Sequence, residues 1–124
     1  MKRRILCTLC MLFLISNLCF SWQSGNDLVK LWKEYKESSS NTLAIGLFMG
    51  YVAGCLDALE ISNYIMQEAK YGRGNLGFDI PDNATLGQIC SVFGKWLEQN
   101  PEKWNLDGQL LIVSALQEAF PKNQ

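Results

Sequence analysis

The chain has few side chains that could carry out chemistry, and it contains no histidine. The lack of histidine excludes Ser–His and Cys–His catalysis and removes the commonest metal ligand. Asp79 and Asp82, three residues apart, are the nearest approach to an acid–base pair. They stand in a segment rich in glycine, asparagine and proline, where solvated turn residues are the simpler interpretation. We therefore expect a protein that is not an enzyme and has no cofactor or metal.

The first 21 residues are typical of a cleaved secretory signal peptide. Three basic residues precede the apolar run Ile5–Ile15, which is shorter than the roughly 20 residues that a transmembrane helix needs. Small residues at Cys19 and Ser21 suit a cleavage site. We expect cleavage after Ser21, a domain of residues 22–124 and a periplasmic location. An uncleaved membrane anchor is the alternative.

Cleavage would change both the cysteine count and the charge. Cys7, Cys10 and Cys19 would leave with the signal peptide, so the Cys-x-x-Cys spacing near the N-terminus is not a redox or zinc motif. Cys55 and Cys90 would remain. Eight basic residues would then stand against twelve acidic ones, a formal net charge of −4. That charge argues against nucleic acid and anionic membranes as partners.

The rest of the chain predicts an all-α fold, a small single-domain bundle of about four main helices, because apolar residues recur at helical spacing. The predicted helices cover residues 26–37, 42–69, 86–99 and 108–120, with an extra turn at 101–104. Ser24 with Asp27, and Thr85 with Gln88, have the spacing of capping boxes. Asp107 is a suitable cap for the last helix. The predicted inner face of that helix comprises Leu110, Val113, Leu116 and Phe120.

The second predicted helix begins with an uncharged run from Leu43 to Leu56. Fourteen residues are too few to span a membrane, so we interpret this helix as the most buried one. Gly46, Gly50 and Gly54 recur every four residues and form one stripe with Ala58. Each internal glycine costs about 1 kcal/mol relative to alanine. The stripe therefore predicts a second helix packed closely against it, with a membrane dimerisation motif as the alternative.

The two remaining cysteines are candidates for a disulfide. Cys55 and Cys90 fall on the predicted inner faces of the second and third helices. In an oxidising compartment we expect them to form one disulfide, which would stabilise the fold by roughly 4 kcal/mol in the chain-entropy model. Two unpaired thiols packed as small apolar groups are the alternative.

Several short segments between residues 46 and 121 resemble the Rap/Tai-type immunity proteins of type VI secretion systems. They occur in the family's order: Gly50-Tyr51-Val52-Ala53-Gly54, Asp57-Ala58-Leu59, Ile80-Pro81-Asp82-Asn83, Thr85-Leu86-Gly87-Gln88, Leu97 to Asn100-Pro101-Glu102, Ala115-Leu116 and Ala119-Phe120-Pro121. The resemblance implies a small, exported helical protein. It also implies a function in the periplasm, where it would bind an incoming cell-wall amidase effector and block its active site.

The chain departs from this family at two positions. The family usually has cysteine where this chain has Asp79, and often has a second one where it has Lys122. The absence of both cysteines is consistent with the loss of one disulfide. It predicts that the 70–84 loop is less firmly tethered to the C-terminus.

The resemblance leaves two other interpretations open. A periplasmic acid-stress chaperone of the HdeA kind is also small and helical, and here protonation of twelve carboxylates would change the net charge from −4 to +8. Another exported helical interaction module is the second alternative. The partner implied by the resemblance is a peptidoglycan amidase, with a homodimer left open.

One irregular segment is the predicted partner-binding site. Residues 70–78 combine glycines with the side-chain types that are enriched at binding hot spots. The candidate contact residues are Tyr71, Arg73, Asn75, Phe78 and Asp79. The alternative is a surface connection in which Phe78 fills a gap in the core.

Overall fold

The computed structural model describes residues 23–37, 42–68 and 76–122. Within these ranges the chain forms four α-helices and no strand: α1 (Gly25–Glu37), α2 (Thr42–Glu68), α3 (Leu86–Gln99) and α4 (Gly108–Ala119). A 3-10 turn, Pro101–Lys103, connects α3 to α4. The predicted all-α class is confirmed, and each main helix begins and ends within one residue of its predicted bounds. The predicted signal peptide lies outside the described residues.

Two capping boxes set the beginnings of α1 and α3. The Asp27 backbone N–H donates to Ser24 Oγ at 3.4 Å, and the Ser24 N–H donates to the Asp27 carboxylate at 3.2 Å. Hydrogen bonds from Ser24 lower the pKa of Asp27. Thr85 and Gln88 form the same reciprocal pair at α3. Asp107 occupies the cap position of α4, but its side chain makes no capping hydrogen bond. The predicted position of the cap is therefore confirmed, whereas a cap made by the carboxylate is not.

The core joins α1, α2 and α3 through stacked aromatic rings. Phe48 of α2 lies between Trp32 of α1, at a centroid distance of 5.5 Å, and Phe93 of α3, at 5.9 Å. Aromatic pairs at such distances add to the free energy gained by burying their area. Helix α4 closes the core with Leu111, Ile112, Ala115 and Leu116, all buried.

The predicted inner face of α4 is wrong in part. Leu110 is 59% exposed, whereas its neighbour Leu111 is 1% exposed. Leu116 is buried, as predicted. The core-facing positions of α4 are therefore displaced by one residue at its first turn, a rotation of about 100°.

Gly94 of α3 lets two helices approach closely, whereas the glycine stripe on α2 does not. A Cβ atom on Gly94 would overlap the Trp32 indole. By contrast, a Cβ atom on Gly46, Gly50 or Gly54 would meet no atom within 4 Å. The prediction of a helix packed on the stripe is thus wrong for the described residues. The core of α2 lies on its opposite side.

The predicted disulfide is also wrong, because Cys55 and Cys90 are both free and buried. Phe48 and Phe93 mark where α2 and α3 touch. Cys55 lies seven residues from Phe48, about 10 Å along its helix, but Cys90 lies only three residues from Phe93, about 4.5 Å. Two residues that both face the core can therefore lie at different positions along their helix axes. A disulfide needs Cα atoms within about 7 Å, so facing inward is not sufficient for one to form.

Candidate protein-binding surfaces

The predicted partner-binding segment is described only in its last part. Tyr71, Arg73 and Asn75 lie outside the described residues, so their placement stays a prediction. Phe78 is half-buried and packs against the core, and Asp79 is exposed. Of the two described candidates, Phe78 thus fills a gap in the core, whereas Asp79 is open to a partner.

The same segment is held to the C-terminus by backbone hydrogen bonds. Phe78 forms an isolated antiparallel bridge with Pro121. The Asp79 N–H donates to the Phe120 carbonyl at 2.9 Å, and the Lys122 N–H donates to the Gly77 carbonyl at 3.3 Å. These bonds join the two places where the family usually has cysteines. Residues 77–79 are therefore tethered to the C-terminus by hydrogen bonds, and a tether weaker than the family's disulfide stays a prediction for the 70–84 segment.

Gly77 allows the backbone to adopt the conformation that this bridge requires. Its φ angle of +78° is in the left-handed region, where glycine has no steric penalty. The Gln117 side chain of α4 donates to the carbonyl of the preceding residue, Leu76, at 2.8 Å. The predicted binding segment therefore rejoins the described fold at a fixed point on α4.

Six of the eight large apolar side chains that are exposed among the described residues lie on α2, most of them on its outer side. Its large members are each more than half exposed: Leu43, Leu47, Ile61, Tyr64 and Ile65. The glycine stripe runs between them, and the side chains of Asp57 and Glu60 are the acidic groups nearby. Soluble monomers seldom leave a continuous apolar patch of this extent open. This surface therefore suits contact with another protein.

The last turns of α2 are exposed on more than one side. Tyr64, Ile65 and Met66 point in different directions around the helix, and all three are exposed. Residues 60–66 thus extend past the core of the bundle and lead directly toward the predicted binding segment. This end of α2 forms a protrusion.

A shallow groove separates α2 from α4. It encloses about 620 Å³ and is lined by apolar and small residues, among them Gly50, Gly54, Leu110 and Val113. At its inner edge the Tyr51 hydroxyl and the Cys55 thiol form a hydrogen bond, and burial raises the pKa of both groups. The polar side chains that line the groove are Tyr51, Cys55 and Gln109, and the rest of its lining is apolar or glycine. Among the described residues no cluster of three Cys, Asp or Glu side chains could hold a metal ion.

Helix α2 is long and apolar enough to cross a membrane, judged by length and composition alone. The span Thr42–Met66 has a mean hydropathy of 1.7, and 22% of its most apolar stretch is buried. The sequence-based count of fourteen uncharged residues was too short, because the apolar character continues past Asp57. Phe48 and Val52 nevertheless pack into the core from this helix.

Comparison with known families identifies the chain. The model of the Rap1a immunity proteins matches residues 24–121, from the first capping box to the bridge at Pro121. The chain belongs to the Rap1a immunity protein family. Neither a curated protein nor a solved structure matches it. Membership in the Rap1a family implies an immunity protein that binds a secreted protein effector, and proteins of this kind are generally not enzymes.

The family match extends further than the sequence resemblance did. It includes α1, which contributes Leu28 and Trp32 to the core. Sequence reasoning missed the outer side of α2 as a binding surface. A signal was present, because Leu43 and Leu47 share a helical face with the glycine stripe.

Proposed function

We propose that the protein is a periplasmic immunity protein that binds and blocks a peptidoglycan amidase delivered by type VI secretion. Membership in the Rap1a family supports an immunity function. The amidase as target follows from the resemblance in the sequence, and the periplasm follows from the N-terminal segment. The proposal includes a homodimer, because the outer side of α2 is apolar and uncovered in the described structure.

The protruding end of α2 is the observation that carries this proposal. An enzyme cleft is blocked by a convex element that enters it. At the end of α2, Tyr64, Ile65 and Met66 are exposed, and no element in the described part of the chain covers them. The segment after it contains Tyr71 and Arg73, types that dominate the binding energy of many interfaces. We propose that the end of α2 and residues 70–75 enter the cleft together.

A search for a peptidoglycan amidase encoded beside this protein's gene, followed by a binding assay with that enzyme, tests the proposal. We expect the purified domain to form a complex with that enzyme and to inhibit its hydrolysis of peptidoglycan. Tyr64→Ala, Tyr71→Ala and Arg73→Ala are each expected to weaken binding by about 1–2 kcal/mol, measured by calorimetry. Leu106→Ala is the matched control, because Leu106 is an exposed apolar residue away from the protrusion.

The outcomes separate the parts of the proposal. If the enzyme is bound and inhibited but all three variants keep full affinity, the binding surface lies elsewhere on the bundle. If the adjacent enzyme is neither bound nor inhibited, the assignment of an amidase is wrong. Mass spectrometry of periplasmic extract should find Trp22 as the first residue, and an intact chain in the cytosol would contradict export.

A further inference from the structure

A second groove runs along the outer side of α3, next to α4. Its narrow part encloses about 290 Å³, and its lining includes Val92, Lys95, Trp96 and Glu118. Val92 and Lys95 also line a wider part of about 740 Å³, which continues toward the beginning of α3. Because the two parts share these residues, they form one continuous groove, the α3–α4 groove.

Two opposite charges line the narrow part without pairing with each other. Lys95 lies on α3 and Glu118 on α4, and neither takes part in an ion pair with a described residue. Lys95 also makes no hydrogen bond with a described residue. The cavity between an ammonium group and a carboxylate that do not meet suits a ligand group that carries both charges.

The Glu118 carboxylate is held in place by an indole. The Trp96 Nε1–H donates to Glu118 Oε2 at 2.7 Å. Trp96 is 5% exposed, and the Lys103 ammonium group lies over its ring at 4.8 Å. No described residue donates to the second carboxylate oxygen of Glu118. That oxygen is therefore an acceptor in a fixed position, as a ligand ammonium group requires.

The wide part of the groove combines uncharged polar groups with apolar surface. The Ser91 hydroxyl donates to the Gly87 carbonyl at 2.9 Å, which leaves its oxygen able to accept. Thr85 and Gln88 line the far end, and Phe120 supplies apolar surface. Hydroxyl and amide groups can donate to and accept from the N–H and C=O groups of a peptide.

The length of the groove suits a short peptide. Gln88 and Gln99 line its two ends and are eleven residues apart, about 16 Å along α3. An extended peptide advances about 3.3 Å per residue, so the groove takes roughly five residues. The volume of the wide part is also in the range of small-molecule sites, roughly 300–1,000 Å³.

The pair of charges selects against ligands of a single sign. A purely acidic segment would place a carboxylate beside Glu118, and a purely basic one would place an ammonium group beside Lys95, with repulsion in both cases. The interior of an ordinary protein segment has no carbon atom that carries both groups. A free amino-acid end, with an ammonium group and a carboxylate on one carbon, is complementary to both residues.

We propose that the α3–α4 groove binds a short peptide that carries such a free amino-acid end. Its carboxylate pairs with Lys95, its ammonium group donates to Glu118, and the rest of the peptide runs past Val92 toward Thr85. The source is a stem peptide of the cell wall, because the diamino acid of an uncross-linked stem peptide has this kind of end. The source rests on the periplasmic location in the proposed function, whereas the binding itself does not.

Two synthetic tripeptides test the proposal. Both begin with L-alanine and γ-linked D-glutamate. The third residue is meso-diaminopimelate in one and L-lysine in the other, which lacks the carboxylate at the end of the side chain. The indole N–H signal of Trp96 in NMR spectra, assigned with Trp96→Phe, reports binding because this group donates to Glu118.

The charged end should dominate the difference between the two peptides. We expect the diaminopimelate peptide to shift the Trp96 signal with a dissociation constant of about 0.1–1 mM, since the groove is open to solvent. The lysine peptide should bind about fivefold more weakly, the size of effect that an exposed ion pair allows.

Two variants locate the ligand. Lys95→Gln and Glu118→Gln should each weaken binding of the diaminopimelate peptide about three- to fivefold, and Lys95→Gln should also remove the difference between the peptides. Both should keep the native melting temperature, because Lys95 is exposed and the amide oxygen of Glu118→Gln still accepts from Trp96. Lys122→Gln, at an exposed lysine outside the groove, is the matched control and should bind as the native chain does.

Three results would overturn the proposal. The first is an unshifted Trp96 signal at about 10 mM diaminopimelate peptide, well above the expected dissociation constant. The second is equal affinity for the two peptides, which would mean that the charged end is not recognised. The third is an undiminished difference between the peptides in Lys95→Gln, which would place the ligand elsewhere. The amidase is absent from all these measurements, so their failure is distinct from a failure of the proposed immunity function.

Discussion

Helices α2 and α3 of this protein use glycine in opposite ways. Gly94 of α3 lies under the Trp32 indole, where any side chain would collide with the ring. Gly50 and Gly54 of α2 face open space, where a side chain would meet nothing within 4 Å. The first kind of glycine serves the packing of the monomer. The second has no use within the described monomer, which implies that its value lies in contacts outside it.

The largest contrast is expected between two adjacent leucines of α4. Leu111→Ala should lower the free energy of unfolding by roughly 2–5 kcal/mol, because it leaves a cavity in a core position. Leu110→Ala should change it by less than about 0.5 kcal/mol, because that side chain is exposed in the monomer. Urea denaturation at low protein concentration measures both. Equal effects would mean that α4 is rotated from the position described.

The next effect concerns the packed glycine. Gly94→Ala is expected to lower the free energy of unfolding by about 3 kcal/mol, because the added methyl group forces the Trp32 ring out of its place. A shift in the fluorescence of the tryptophans should accompany the loss. A variant as stable as the native chain would show that the two helices can move apart at no cost.

Alanine substitution of the open glycines on α2 should change the free energy of unfolding in the opposite direction. Gly50→Ala and Gly54→Ala are each expected to raise the free energy of unfolding of the monomer by about 1 kcal/mol, since alanine favours the helix and has room. The measurement needs dilute protein, where a dimer does not contribute. A loss of stability in dilute protein would mean that an element covers the stripe in the monomer after all.

The smallest effects concern the two thiols, Cys55 of α2 and Cys90 of α3. Cys55 is 8% exposed at the groove, and Cys90 is fully buried. In native protein a thiol reagent should therefore modify Cys55 faster than Cys90, and denatured, unreduced protein should show both thiols. Mass spectrometry of the modified chain distinguishes the two sites. If denatured, unreduced protein has no free thiols, Cys55 and Cys90 form a disulfide after all.

Alkaline pH should weaken the fold through Cys90. Burial raises the pKa of this thiol to about 11, whereas a thiol in an unfolded chain ionises near pH 8.5. Between these values the folded state keeps a proton that the unfolded state has lost. The free energy of unfolding therefore falls as pH rises through this window. Cys90→Ala should flatten that slope in denaturation curves recorded from pH 8 to 11.

The helix bounds could be predicted because their signals are local. Thr85 and Gln88 form their capping box within four residues. Pro101 ends α3 by its own backbone geometry, which does not depend on how the helix packs against the others. The orientation of α4 could not be predicted in the same way. Leu110 and Leu111 are identical in type, and only the packing of α4 against the other three helices decides which one is buried.

The binding surface was less accessible to sequence reasoning than the fold. The spacing of Gly46, Gly50 and Gly54 indicated that something packs closely there, but it does not say whether the neighbour is another part of the chain. The inward faces of Cys55 and Cys90 were predicted correctly, since both are buried. The distance between the two cysteines also depends on the relative shift of α2 and α3 along their axes. A local sequence pattern does not determine that shift.

The hydrogen-bonded bridge between residues 77–79 and 120–122 has a consequence for where the protein can fold. Relatives that hold this place with a disulfide need an oxidant, whereas the bonds between Asp79 and Phe120 and between Lys122 and Gly77 form from the backbone alone. Cys55 and Cys90 are unpaired as well. Within the described residues, folding is therefore independent of the redox state of the compartment. The domain without its N-terminal segment should fold equally well in a reducing cytoplasm.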